Sequence, residues 1–195
     1  MIPTGWFRFT SLLLMLFAVG CGPTTTSSDS TRSSPEEAQA SAVAKALQTV
    51  EGNGFTLQAP ESWTKLPVTS GIAVSSPPDF ANGDAGVPVS VAILPVPAPL
   101  TPATLVASLL DNNRAIGEVE SETQIKVAGR DATKLVHTLT SRMNTTSDDV
   151  YVSRMIRVFV PLDAGVLAVQ IQGADTPVKL KMPQLDAIIE SIKLQ

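Results

Sequence analysis

E-V-E-S-E-T-Q-I-K-V, residues 118–127, alternates with a period of two: Val119, Ser121, Thr123, Ile125 and Val127 fall on one face, and Glu118, Glu120, Glu122, Gln124 and Lys126 on the other. This is the period of a strand with one side turned to a core and a charged side turned to water. Gly129-Arg130-Asp131 predicts a sharp turn after it. Further strands are predicted over 132–140, 150–160 and 166–171, the last two joined by the hairpin turn Pro161-Leu162-Asp163-Ala164-Gly165. Strands joined by short turns make an antiparallel meander. Beyond them, Leu185, Ile188, Ile189 and Ile192 recur at i, i+3, i+4 and i+7, the apolar stripe of a helix that needs a sheet to pack on.

Working back from residue 118, Thr101-Pro102 opens a helix whose Leu105, Val106, Leu109 and Leu110 form one face, ending near Asn113. Val87, Val89, Val91 and Ile93 alternate as a strand that runs into Pro95, Pro97 and Pro99. Two more strands are expected over 55–63, beginning F-T-L-Q-A-P, and over 71–75. No helix–strand alternation long enough for a doubly wound parallel sheet is present. The expected fold class is α+β, an antiparallel sheet flanked by helices in an α/β/α sandwich.

The N-terminal third is of a different kind. A single Arg8 precedes an uncharged, mostly apolar stretch from Phe9 to Gly20, about 12 residues, too short for the roughly 20 that a spanning helix needs and apt for a signal peptide. It ends in Ala18-Val19-Gly20-Cys21, which resembles the bacterial lipobox. The resemblance implies cleavage between Gly20 and Cys21 and lipidation of Cys21, so that acyl chains hold the protein to a membrane without a spanning helix. Gly22 stands where an Asp resembles an inner-membrane retention signal, which points to the periplasmic face of the outer membrane in a diderm host. Gly22 to Ser34 is polar and aperiodic, a disordered tether reaching roughly 20 Å. Ser34-Pro35-Glu36-Glu37 carries a capping-box pattern, and Ala42, Val43, Ala46, Leu47 and Val50 follow at helical spacing before Gly52 and Gly54. An Ala-rich helix is therefore expected over 35–52, either packed loosely on the core or serving as a stiff spacer. The chain divides into a signal peptide (1–20), a lipidated cysteine and tether (21–34), this helix (35–52) and a globular domain (53–195).

Composition narrows the function. Of 195 residues, 44% are hydrophobic and 16% charged, enough to bury one core, and 14 basic against 18 acidic side chains give a net charge of −4, the wrong sign for binding nucleic acid. One cysteine and one histidine leave no internal disulfide, no Cys/His zinc cluster and no paired-histidine site. His137, mid-strand between Val136 and Thr138, reads as structural, and no G-x-S-x-G elbow exposes a nucleophile for a Ser–His–Asp triad. Asp148 and Asp149, with Asp79 or Asp84, offer oxygen ligands for Ca²⁺, but D-F-A-N-G-D lacks the spacing of a Ca²⁺ loop, and such aspartates cap turns. Asn144-Thr145-Thr146 has the form of a glycosylation sequon and reads as a polar loop. Trp63 is expected to plug the core beside Pro60, and the proline run at 96–99 to protect an exposed strand or form a binding rim. Arg154 and Arg157 have opposite parity in an apolar strand and must point to opposite faces; one is expected to snorkel to the sheet edge, a buried one needs a partner such as Glu120 or Glu122, and the functional alternative is an arginine that binds an anion.

With F-T-L-Q-A-P-E-S-W at the start of the domain, V-A-G-R-D-A at a turn and L-D-A-I-I-E-S-I-K-L at the end, residues 54–195 resemble the PsbP-like superfamily, which includes PsbP, DcrB and LpqN-type lipoproteins. The shared features are Pro60 with Trp63, Gly129 with Ala132, and Ile189 with Ser191. The resemblance implies an antiparallel sheet between helices and a non-enzymatic binding or assembly role, often at a membrane, and transfers no site residue. The expectation is a lipid-anchored cell-envelope protein that serves a membrane-associated protein complex, with no catalytic residue, cofactor or metal. The alternative is a carrier of a small ligand, lipid or metal in a pocket between sheet and helix.

Overall fold

The computed structural model describes residues 46–142 and 150–195. The signal peptide, Cys21 and its tether, the first part of the expected helix, the sequon and the Asp148-Asp149 pair lie outside them. Ten strands and two longer helices follow in the order β1 (Leu47–Gly52), β2 (Phe55–Pro60), β3 (Thr64–Leu66), β4 (Ile72–Ser75), β5 (Pro88–Pro95), α1 (Pro102–Arg114), β6 (Glu118–Val127), β7 (Arg130–Arg142), β8 (Val150–Pro161), β9 (Gly165–Ala174), α2 (Asp175–Glu190) and β10 (Lys193–Leu194). The strands form a seven-stranded antiparallel sheet, β3-β4-β5-β9-β8-β7-β6, and a three-stranded one, β1-β2-β10.

The expected α+β layering stands, with a second small sheet added. On one side of the large sheet, Ile156, Val158, Leu167, Val169 and Ile171 pack with Leu185, Ile188 and Ile189 of α2 and with Phe55 and Leu57 of β2. Trp63 is buried in this core as expected. On the other side, Val106 and Leu110 of α1 pack against Leu135, Phe159 and Val166, with Leu105, Leu109 and Ala168 partly buried around them. The second face is thus only partly roofed, by a 13-residue helix.

Several expectations change. Leu47–Gly52 is not the end of a helix but strand β1, paired with β2 from Leu47↔Pro60 to Gly52↔Phe55. Of the two glycines expected to stop a helix, Gly52 ends β1 and Gly54, at φ +83°, is the second residue of the two-residue hairpin turn Asn53-Gly54. The division at 52/53 therefore cuts through one hairpin. The turn after β6 is Ala128-Gly129, both at positive φ, and Arg130 and Asp131 already belong to β7. Strand β5 lies inside the sheet, paired with β9 along Val89–Pro95 and with β4 along Pro88–Val91. The proline run after it therefore guards no edge strand; it turns the chain into α1, with Leu100 N–H donating to the Pro97 carbonyl.

A β-bulge between Val119 and Ser121 breaks the alternation of β6. Val119 pairs with His137 and so faces α1, whereas Ser121 pairs with Val136 and faces α2. Glu118 and Val119 accordingly lie on the opposite faces from those that strict alternation assigns. Glu120, the extra residue, reaches across β7 to Arg154 on the α2 side.

Candidate binding site

Of the two arginines in β8, Arg154 is the paired one. Its guanidinium is buried between Glu120 and the Asp175 carboxylate at the start of α2, with Nε donating to Asp175 at 2.8 Å. Glu122, the other partner considered, lies on the opposite face and accepts from Arg114 Nη2 at 2.6 Å, fixing the end of α1 to the sheet. Lys179 also donates to Asp175, and together with Arg154 it holds that carboxyl below the usual aspartate range.

Arg157 is on the α1 side and half-buried, and among the described residues it has no carboxylate and no hydrogen-bond acceptor; its Nε is shielded from solvent and unpartnered. Burial lowers its pKa from the ordinary arginine value, although a guanidinium stays charged at any physiological pH. Strand register sets its neighbours. Arg157 pairs with Gln170 of β9, and Gln170 with Ser90 of β5. Directly paired residues share a face with roughly 5 Å between Cβ atoms, so Ser90, Gln170 and Arg157 form one row of donors across three strands.

The row lies at the waist of a cleft. On one side is a cavity of 340 Å³ under α1, walled by Ala92, Leu94, Leu109, Phe159 and Ala168 with Asn113 at its edge. On the other is a depression of 320 Å³ bounded by Tyr151, Ser153 and Gln172. Ser90 and Gln170 border both. Sequence reasoning named Arg154 and Arg157 together without choosing between them, and missed Ser90 and Gln170. A signal was there: Ser90 is the lone polar side chain in the apolar strand P-V-S-V-A-I-L-P, and Gln170 and Gln172 break the apolar run of V-L-A-V-Q-I-Q.

His137 lies in the same sheet face but is fully buried, with Nε2 3.2 Å from the Met155 sulfur and Nδ1 without a partner. Burial, and secondarily the Arg157 charge, push its pKa below the ordinary value. Among the described residues no hydroxyl or carboxylate is hydrogen-bonded to its ring, so His137 is not part of a nucleophile–base pair. The aspartates of the 79–84 loop are engaged as well. Asp79 and Asp84 exchange backbone hydrogen bonds of 2.7 and 2.9 Å, and the Asp84 carboxylate accepts from Gly86 N–H and from Lys181 of α2. Among the described residues no three His, Cys, Asp or Glu side chains gather as metal ligands.

No protein-family model and no curated protein matches the chain. Among solved structures, LpqN of Mycobacterium tuberculosis, involved in cell envelope biogenesis, superposes with a TM-score of 0.53 at 14% identity, over 76% of this chain and 90% of LpqN. The fold is shared with LpqN. At that identity the likeness carries the fold alone. Cyanobacterial PsbP from Synechocystis aligns at a TM-score of 0.49 and 14% identity over 77% of this chain and 93% of its own. The large sheet is roofed on one face by α2 and the small sheet and left partly open on the other. Among the described residues no helix is long and apolar enough to cross a membrane.

Proposed function

We propose that the protein is a lipid-anchored component of the cell envelope that binds a partner rather than transforming it, in the service of a membrane-associated protein complex. The observation that carries the binding role is the partly open face beside α1, where the shielded Nε of Arg157 has no partner among the described residues and Ser90 and Gln170 stand beside it in the same cross-strand row. Unsatisfied polar groups on a rigid sheet are what a binding surface offers and a self-contained core avoids. The envelope location is supported by Ala18-Val19-Gly20-Cys21 with the polar stretch after it, and by the likeness to LpqN. Cys21, released by cleavage after Gly20, is the proposed lipidation site.

The test is in-cell crosslinking followed by affinity capture of the full-length chain, with Cys21→Ser as the untethered control. Enrichment of one membrane complex with the intact cysteine alone is the expected result. Capture of nothing above the control removes the assembly role. Turnover of a substrate that His137→Ala abolishes would overturn the non-catalytic reading.

A second reading has its own observation, the 340 Å³ cavity between α1 and the sheet, at the small end of the roughly 300–1,000 Å³ typical of ligand pockets. It makes the protein a carrier of a small ligand.

A further inference from the structure

We infer that the cleft beside α1 is a site for a monocarboxylate with a short apolar chain, the carboxylate held by Arg157 and the chain lying under α1. This rests on the carrier reading of the same cleft and specifies its ligand class.

Three features select that chemistry. The first is charge: Arg157 is a half-buried cation with an unpartnered Nε, and Glu122, the acidic residue paired with Leu135 beside it in the same cross-strand row, is taken by Arg114. A buried cation without a counter-ion is costly, and an incoming anion removes that cost as it binds. One guanidinium without a second free cation in the row suits a single negative charge, and its planar fork matches a carboxylate.

The second is the row itself. Ser90 and Gln170 continue from Arg157 across adjacent strands, adding a hydroxyl and an amide, neither committed to another group among the described residues. They offer hydrogen bonds to carboxylate oxygens that the guanidinium leaves open.

The third is polarity along the cleft. Toward Leu94, Leu109 and Phe159 the wall is apolar, and toward Tyr151, Ser153 and Gln172 it is polar. A ligand whose head sits at the waist therefore has its apolar chain fixed in direction. The volume under α1 limits that chain to a short one, and a polar substituent on the head has room on the far side.

The experiment titrates the full chain, carrying Cys21→Ser so that it bears no acyl group of its own, with hexanoate, hexanol and hexylammonium. Binding is followed by NMR, including the Arg157 Nε–H resonance. Hexanoate is expected to shift that resonance and to bind more tightly than hexanol, with hexylammonium weakest. Arg157→Met is expected to weaken hexanoate about 10- to 100-fold while leaving hexanol unchanged, the loss for one charged hydrogen-bonding partner. Arg157→Lys, which keeps the charge without the fork, is expected to lie between and guards against a folding defect in the methionine variant. Hexanoate binding unaffected by both substitutions, or hexanol binding as tightly as hexanoate to the unsubstituted chain, overturns the proposal but leaves a carrier pocket standing. Binding of none of the three overturns the proposal and removes the carrier reading with it.

Discussion

Two arginines three positions apart on one strand have opposite fates, and the difference is set by their neighbours. That Arg154 and Arg157 face opposite ways was legible from parity alone. Which one is paired was not, because Glu120 reaches Arg154 only through the bulge at Val119/Ser121 and Asp175 only through the start of α2. The Glu120 carboxylate is half exposed, so Glu120→Gln alone is expected to cost less than about 1 kcal/mol. Combined with Asp175→Asn it leaves a buried guanidinium uncompensated, and the pair is expected to cost about 3 kcal/mol, more than the sum of the single changes. Urea unfolding of the four proteins measures this. His137 gives a second prediction. Its folded-state pKa lies below the ordinary 6.5, so the unfolded chain takes up the proton first as pH falls. The contribution of the neutral, buried ring is complete above about pH 6.5 and is lost as pH falls from there through the folded value. The carboxyls held down by ion pairs, Asp175 and Glu122, start from 3.8 and 4.5 and act only at lower pH. Unfolding midpoints between about pH 7.5 and about pH 5.5 are therefore expected to fall in the native chain and to fall less in His137→Gln.

At the scale of elements, the strongly alternating segments were readable and the short or interrupted ones were not. The core strands β5, β7, β8 and β9 carry enough apolar alternation to be found within a few residues of their ends. Strand β1 has one buried residue, Val50, and its apolar spacing fits a helix as well as a strand; pairing with β2 through Asn53-Gly54 decides it. The first half of α2 was hidden by Pro177 and Pro183, which interrupt the pattern until Leu185. Chains starting at residue 53 and at residue 46 test the hairpin. Loss of β1 uncovers β2 and forfeits the burial of Val50, and the shorter chain is expected to be at least about 2 kcal/mol less stable in denaturant. Gly71 supplies a sharper constraint. Its φ is +78°, and a Cβ there would stand 2.1 Å from the Val91 carbonyl oxygen, so Gly71→Ala is expected to destabilise by about 2 kcal/mol or more. Ala128, at φ +50° in the β6–β7 turn, is the converse case: Ala128→Asn is expected to raise stability by up to about 1 kcal/mol in the same assay.

For the whole molecule, one face of the seven-stranded sheet is closed by α2 and the small sheet, and the other is roofed by α1 over part of its width. The α+β sandwich followed from the sequence, since two apolar helix faces and a meander of alternating strands have few other ways to bury themselves. The cleft did not, because it arises from strand register, which aligns Ser90, Gln170 and Arg157, and from α1 stopping at Arg114. The central claim, that a membrane-tethered domain binds through this face, is tested most directly by placing a photo-crosslinking residue in cells at Asn113, on the rim of the cleft, and separately at Glu51, on the opposite side. The expected result is a crosslinked membrane complex from position 113, absent from position 51 and lost when Cys21→Ser is added. The same products from both positions, or products indifferent to Cys21, would contradict it.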